Sequence, residues 1–217
     1  MSPLQLLIGI VIAMAASIRG NWSPCGESLQ ARLHPLGERS RGNIWSITIA
    51  SFTVVSAAAG ALSTGLVGWL GSISPVESDL ALLITGVLGV TAGVLDLSPL
   101  RPWTPNRQVN ENWIERYRGW VYGAAFGAQL GVGFAVFVMS WGYYAMLGAA
   151  FLTGSFAAGA VIGAIFGVGR GLLLILSFRV RTPHRLVSFH TRMAKLKRPV
   201  FLVTGLTMLV AGLLVVL

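Results

Sequence analysis

Charge is scarce in this sequence. Lys, Arg, Asp and Glu make up 11% of its 217 residues, where a soluble domain carries about 25%. So few polar groups cannot wet a globular surface. Acid is scarcer than base: 7 Asp and Glu stand against 16 Lys and Arg, a formal charge of +9. Cysteine is nearly absent. The single Cys25 excludes an intrachain disulfide and a cysteine-rich metal site. His34, His184 and His190 show no metal-ligand spacing with one another, so neither a metal nor another cofactor is expected. There is no P-loop. The run Gly167-Val168-Gly169-Arg170-Gly171 lacks the strand, turn and acidic residue of a dinucleotide site. These absences lean away from an enzyme.

What the chain has instead is apolar length. Hydrophobic residues make up 54% of it, and runs near the length of a bilayer crossing recur throughout. The pattern predicts an all-α polytopic membrane bundle of six transmembrane helices, over roughly 4–19, 45–71, 79–97, 119–143, 147–177 and 200–217. The basic residues lie between these runs in a regular way. Arg19, Arg32, Arg39 and Arg41 fall in the first connection, Arg101, Arg107, Arg116 and Arg118 in the third, and Arg179 to Arg198 in the fifth. The second and fourth connections have no basic residue, and Glu77 and Asp79 lie in the second. Positive loops stay in the cytoplasm, so both termini are expected outside, in a multi-pass protein of the bacterial inner membrane. The charge excess then reports topology, and no nucleic-acid partner is expected. Ala13-Met14-Ala15 resembles a signal-peptidase site. The start of the chain lacks the positive residues of a signal peptide, so 4–19 reads as a span.

The first span is short. Sixteen helical residues rise roughly 24 Å against a core of about 30 Å. The chain is therefore expected to continue or re-enter through Gly20 to Gly26, with Pro24 and Gly26 loosening the helix. Glycines recur every fourth residue in two spans: Gly123, Gly127 and Gly131, then Gly159, Gly163, Gly167 and Gly171. Such stripes let helix backbones approach closely in lipid. The halves also correspond. Residues 1–100 and 119–217 read as two inverted three-helix repeats in one membrane domain, joined by a cytoplasmic linker over 101–118.

Few residues stand out as a site. Arg170 falls inside a span and is a functional residue by default, or else snorkels to the inner interface. Asp96 is its expected partner, with Glu27 as second choice, and Gln129 adds a polar group in mid-span. With Pro24 and Cys25 these make the expected substrate-binding set: Pro24, Cys25, Gln129, Arg170 and Asp96. In the fifth connection, Leu186, Phe189, Met193 and Leu196 line one side of a helix and basic residues the other. Residues 184–198 are therefore expected to meet anionic lipid of the inner leaflet.

Ser23-Pro24-Cys25, followed by the proline of His34-Pro35-Leu36, resembles the signature of the cytochrome c biogenesis and thiol–disulfide transmembrane reductases, the CcdA- and DsbD-like family. The run from Gly154 to Leu173, with Gly169-Arg170-Gly171-Leu172, resembles that family's fifth span. The resemblance implies a scaffold that passes electrons from a thioredoxin-like protein through two cysteines, with Cys25 as the first. The second is missing, since Gly119 to Tyr143 holds no cysteine. One thiol cannot form and resolve a disulfide within the chain. Three functions follow as expectations: a transporter-like or accessory protein handling a small solute at the bundle centre, a relay in which Cys25 uses a partner's thiol, or a structural subunit docked on another membrane protein.

Overall fold

A computed structural model describes residues 2–74, 76–105 and 107–217. Ten α-helices account for the ordered secondary structure among them, with one short 3-10 turn at Ser177–Arg179 and no strand. α1 runs over Pro3–Gly20. Ser2 caps it by accepting a hydrogen bond from Gln5 N at 3.1 Å, and Pro3 fits a first turn that needs no N–H donor. α2 (Pro24–Arg32) and α3 (Pro35–Ser40) start in the same way, on the caps Ser23 and His34. Pro24 thus opens a new helix rather than bending the first. α4 covers Trp45–Gly71, α5 Ser78–Leu97, α6 Trp113–Arg116 and α7 Gly119–Val132. α8 covers Trp141–Leu152, α9 Phe156–Leu176 and α10 Pro183–Val216.

Among the described residues, five helical segments are long and apolar enough to cross a membrane: Pro3–Gly20, Trp45–Gly71, Ser78–Leu97, Phe156–Arg179 and Pro183–Val216. The expected continuous crossing over 119–143 is absent. α7 stops after 14 residues, and Gly133 turns the chain with φ at 81°. That left-handed conformation suits glycine, and any Cβ there would strike the Tyr143 ring. The expected span 147–177 is also divided. α8 and α9 meet at a turn through Gly154, whose φ is 58°. At the other end of the chain, the basic stretch and the last apolar run form one helix, α10, which passes through Pro199 without ending.

Glycine contacts set the order of the helices. α4 and α9 run antiparallel. Gly159 lies against Thr64, Gly163 against Gly60, Gly167 against Ser56 and Gly171 against Thr53. α7 lies along α4 in the same direction, with Gly123, Gly127 and Gly131 on the carbonyls of Thr48, Phe52 and Ser56. α5 and α10 cross antiparallel at Gly93 on Gly205, Gly89 on Met208 and Gly86 on Gly212. Lipid tails are as apolar as leucine, so burial supplies little force here and close backbone approach supplies more. The stripes are therefore seams within the chain. Ile12, Ala16, Met146, Ile162 and Met208 fill the centre between α1, α8, α9 and α10.

The first, third and fifth connections meet at one end of the bundle. Leu36 N donates to Val180 O at 3.0 Å, Gly119 N to Asn43 Oδ1 at 3.1 Å, and Arg32 pairs with Glu111 at 2.7 Å. The second and fourth connections meet at the other end, where Gly71 lies on Phe151 and Gly154 faces Ser72.

Candidate functional site

Charge enters the interior at the basic end, where α1 finishes. Arg19, on the last turn of α1, is 8% exposed. Its Nη2 donates to Asp96 O at 2.8 Å, its Nη1 to Phe201 O at 3.3 Å and its Nε to Met139 O at 3.4 Å. Nε also lies 3.7 Å from the Asp96 carboxylate, and the guanidinium sits 4.0 Å over the Phe201 ring. One arginine therefore ties α1, α5, α10 and the segment before α8. Asp96, 4% exposed, answers with both oxygens. Oδ2 accepts from Ser140 Oγ at 2.5 Å and Oδ1 from Trp141 N at 2.8 Å. A carboxylate at the start of α8 satisfies N–H groups that the helix leaves open, and the helix dipole favours its charge. The expected Arg170–Asp96 pair is not formed. Asp96 holds Arg19 instead, because Arg19 and Asp96 end neighbouring helices at the same level.

The segment between α7 and α8 turns back to this end because distant groups satisfy its backbone. Phe137 N donates to Arg107 O at 3.2 Å, Val138 N to Thr104 Oγ1 at 2.6 Å, and Phe134 N to Tyr143 Oη at 3.1 Å. Irregular backbone at membrane depth requires such cover. The turn after α1 is held in the same manner. Asn21 Nδ2 donates to Ser17 O and to Gly169 O, Trp22 Nε1 to Met193 O at 2.9 Å, and Gln30 Nε2 to Asn21 O at 2.8 Å.

Arg170 lies level with Gly20, where α1 ends, and a Cβ on Gly20 would collide with its guanidinium. It is 4% exposed, and its Nε has no acceptor among the described residues. With Gly20, Gly133, Ser140 and Tyr143 it lines a cavity of about 20 Å³. Cys25 is fully buried in an apolar cluster with Leu29, Leu130, Val136 and Leu174. Pro24 opens α2 and is half-buried. Gln129 is half-buried too, and its carbonyl accepts from Gly133 N at 3.3 Å where α7 stops. Of the five expected residues, Arg170 alone reaches the cavity wall, and Asp96 is one Ser140 away from it. Arg19 and Ser140 escaped the sequence reading. An arginine closing an apolar run reads as a topology signal, and its reach across to Asp96 depends on the fold.

A second polar cluster lies at the same end. Glu38, fully buried on α3, accepts from Tyr122 Oη at 2.5 Å, from Thr48 Oγ1 at 3.0 Å and from Arg41 Nη2 at 2.5 Å. Burial works against the Arg41 cation. The hydrogen bond and charge of Glu38 outweigh it and hold its pKa above the ordinary arginine value. No group of three His, Cys, Asp or Glu side chains among the described residues is placed to hold a metal.

Comparison with known proteins assigns the chain. It is 30% identical over 193 residues to the methylamine utilization protein MauF of Paracoccus versutus, covering 86% of this chain and 70% of that protein. It belongs to the MauF family. MauF of Paracoccus denitrificans is 33% identical over 175 residues, and that of Methylophilus methylotrophus 31% over 177. Those matches cover 78% of this chain in each case, and 63% and 61% of the two relatives, so the chain spans less than two thirds of their length. No protein-family profile matches the chain, and no solved structure does.

Membership of MauF corrects the resemblance to the CcdA- and DsbD-like reductases. The relatives bear the MauF name over most of this chain. The Ser23-Pro24-Cys25 likeness has a plain structural source: Ser23 caps α2, Pro24 fills its first turn, and Cys25 packs in the apolar cluster. The functions tied to that scaffold fall with it, namely solute handling by a transporter-like protein, the Cys25 relay and the docked structural subunit. A protein shared with methylamine-utilization relatives favours none of them.

Proposed function

We propose that this chain serves methylamine utilization as a multi-pass protein of the bacterial cell membrane, and that the Arg19–Asp96–Ser140 seam is the part of it that must stay intact. The match to MauF relatives over 193 residues carries the reading. The seam adds to it, because buried charge inside a membrane bundle is costly and is kept where it has a task. Here it fixes four segments against one another.

The proposed arrangement has six crossings, with α7, its returning segment and α8 together making the fourth. The two halves are proposed as inverted repeats in which α4 matches α9, α5 matches α10, and α1 matches α8. The antiparallel glycine seams of α4 with α9 and of α5 with α10 support this. The basic end is assigned to the cytoplasm by its charge.

Deleting the coding sequence from its host tests the function. Growth with methylamine as sole nitrogen source is expected to stop, growth on ammonium to continue, and the wild-type sequence supplied in trans to restore the first. Undiminished growth on methylamine in the deletion strain overturns the proposal. Asp96→Asn, checked for normal abundance in the membrane, is expected to restore growth poorly.

A further inference from the structure

The interior charges at the basic end do not balance. Arg19, Asp96 and Arg170 are each buried to 8% exposure or less. Asp96 is fully engaged by Arg19, Ser140 and the start of α8. Glu38 is engaged by Arg41, Thr48 and Tyr122. Arg170 has neither an ion-pair partner within 4.0 Å nor an acceptor for Nε among the described residues. Guanidinium does not shed its proton in proteins. A buried cation without a counter-charge is strongly unfavourable, and natural interiors pair such ions.

The wall beside Arg170 is built to leave room. The cavity of about 20 Å³ is bounded by Ala16, Gly20, Gly133, Ser140, Tyr143 and Phe166. Gly20 and Gly133 clear its sides, since a Cβ on the first would meet Arg170 Nη1 and a Cβ on the second the Tyr143 ring. A space of that size holds about one water-sized group. A compact anion suits it better than a carboxylate, phosphate or sulfate. Water fits and can accept a hydrogen bond from Arg170, but it brings no charge.

We propose that Arg170 and the cavity between α1, α8, α9 and the segment joining α7 to α8 hold a resident small monovalent anion of halide size. The anion is a fixed counter-ion, which completes the charge balance of the seam and locks α9 against the end of α1. It is held in place and does not move through the protein. The site stands apart from the methylamine assignment, so either can fail alone.

The test uses the full chain, purified into lipid nanodiscs in sodium gluconate without halide. Thermal unfolding is followed as chloride or bromide replaces gluconate at constant ionic strength. The wild type is expected to gain a saturable rise in its unfolding midpoint, and Arg170→Gln to show none. Bromide is expected to give an anomalous scattering peak beside Arg170 in crystals of the wild type, which decides the matter if Arg170→Gln does not fold. A wild type indifferent to halide overturns the proposal, as does an equal rise in Arg170→Gln or a bromide peak elsewhere only.

Discussion

At the scale of single residues, Asp96 is the side chain with most at stake. It neutralises Arg19 and starts α8, with side-chain exposures of 10% for Arg19 and 1% for Asp96. Removing one member of a buried pair costs about 3–5 kcal/mol, while replacing both by apolar groups is often close to neutral. Asp96→Ala is therefore expected to lower the unfolding midpoint sharply, and Arg19→Met with Asp96→Leu to recover much of the loss. Equal damage from the single and double changes would show that the carbonyl bonds of Arg19, and not the charge pair, hold the seam. His34 provides a pH response outside the spans. It is 4% exposed, and its Nδ1 accepts from Gly37 N, which requires the neutral ring. Burial pushes its pKa below the ordinary histidine value, with Arg41 and His190 adding to the effect and the Ala31 carbonyl and Glu38 opposing it. The unfolded chain then binds the proton first as pH falls. Stability from this group is complete above the unfolded value of about 6.5 and is lost as pH drops through the lower folded value. Unfolding midpoints measured from pH 7.5 to 5 should fall in the wild type and fall less in His34→Asn, since asparagine can still cap α3.

At the scale of helices, the glycine spacing that was legible in the sequence carries the strongest contacts. Gly163 on α9 faces the Gly60 carbonyl of α4 so closely that no Cβ fits, and the obstacle is backbone, which cannot swing aside. Gly163→Val is expected to cost more than the roughly 1–3 kcal/mol of ordinary overpacking, read as lost folded protein after detergent extraction. Gly42 is the control. Its φ is 72° and nothing lies near a Cβ there, so Gly42→Ala should cost only the left-handed strain of about 1–2 kcal/mol. If the two variants extract equally well, the α4–α9 seam is looser than drawn. The break at 133–140 was not legible, and for a physical reason. Residues 119–143 read as one apolar run because hydropathy records side chains. What keeps the chain after Gly133 from continuing as a helix is backbone chemistry supplied by Arg107, Thr104 and Asp96, far away in the chain. The same limit explains the expected pairing of Arg170 with Asp96: one is a charge inside a span and the other an acid near a span's inner end, and only the fold shows that Arg19 reaches the carboxylate first.

At the scale of the whole molecule, the alternation of basic and non-basic connections and the contacts between them are two independent observations that agree. Hydropathy and charge divided the connections into odd and even sets. The structure joins the odd set through Leu36 to Val180, Asn43 to Gly119 and Arg32 to Glu111, and the even set through Gly71 and Gly154. A chain that crosses a bilayer an odd number of times between 20–44 and 177–199 would have to pull these contacts apart. The sole cysteine makes the point easy to measure. Cys25 is fully buried, so the wild type should resist a membrane-impermeant maleimide from either face. With Cys25→Ser as background, cysteines placed singly at Arg39 and Lys195 are expected to be labelled from one face, and cysteines at Ser72 and Ser74 from the other. Labelling of Arg39→Cys and Lys195→Cys from opposite faces would break the shared basic end, and with it the seam that Arg19 and Asp96 close between four parts of the bundle.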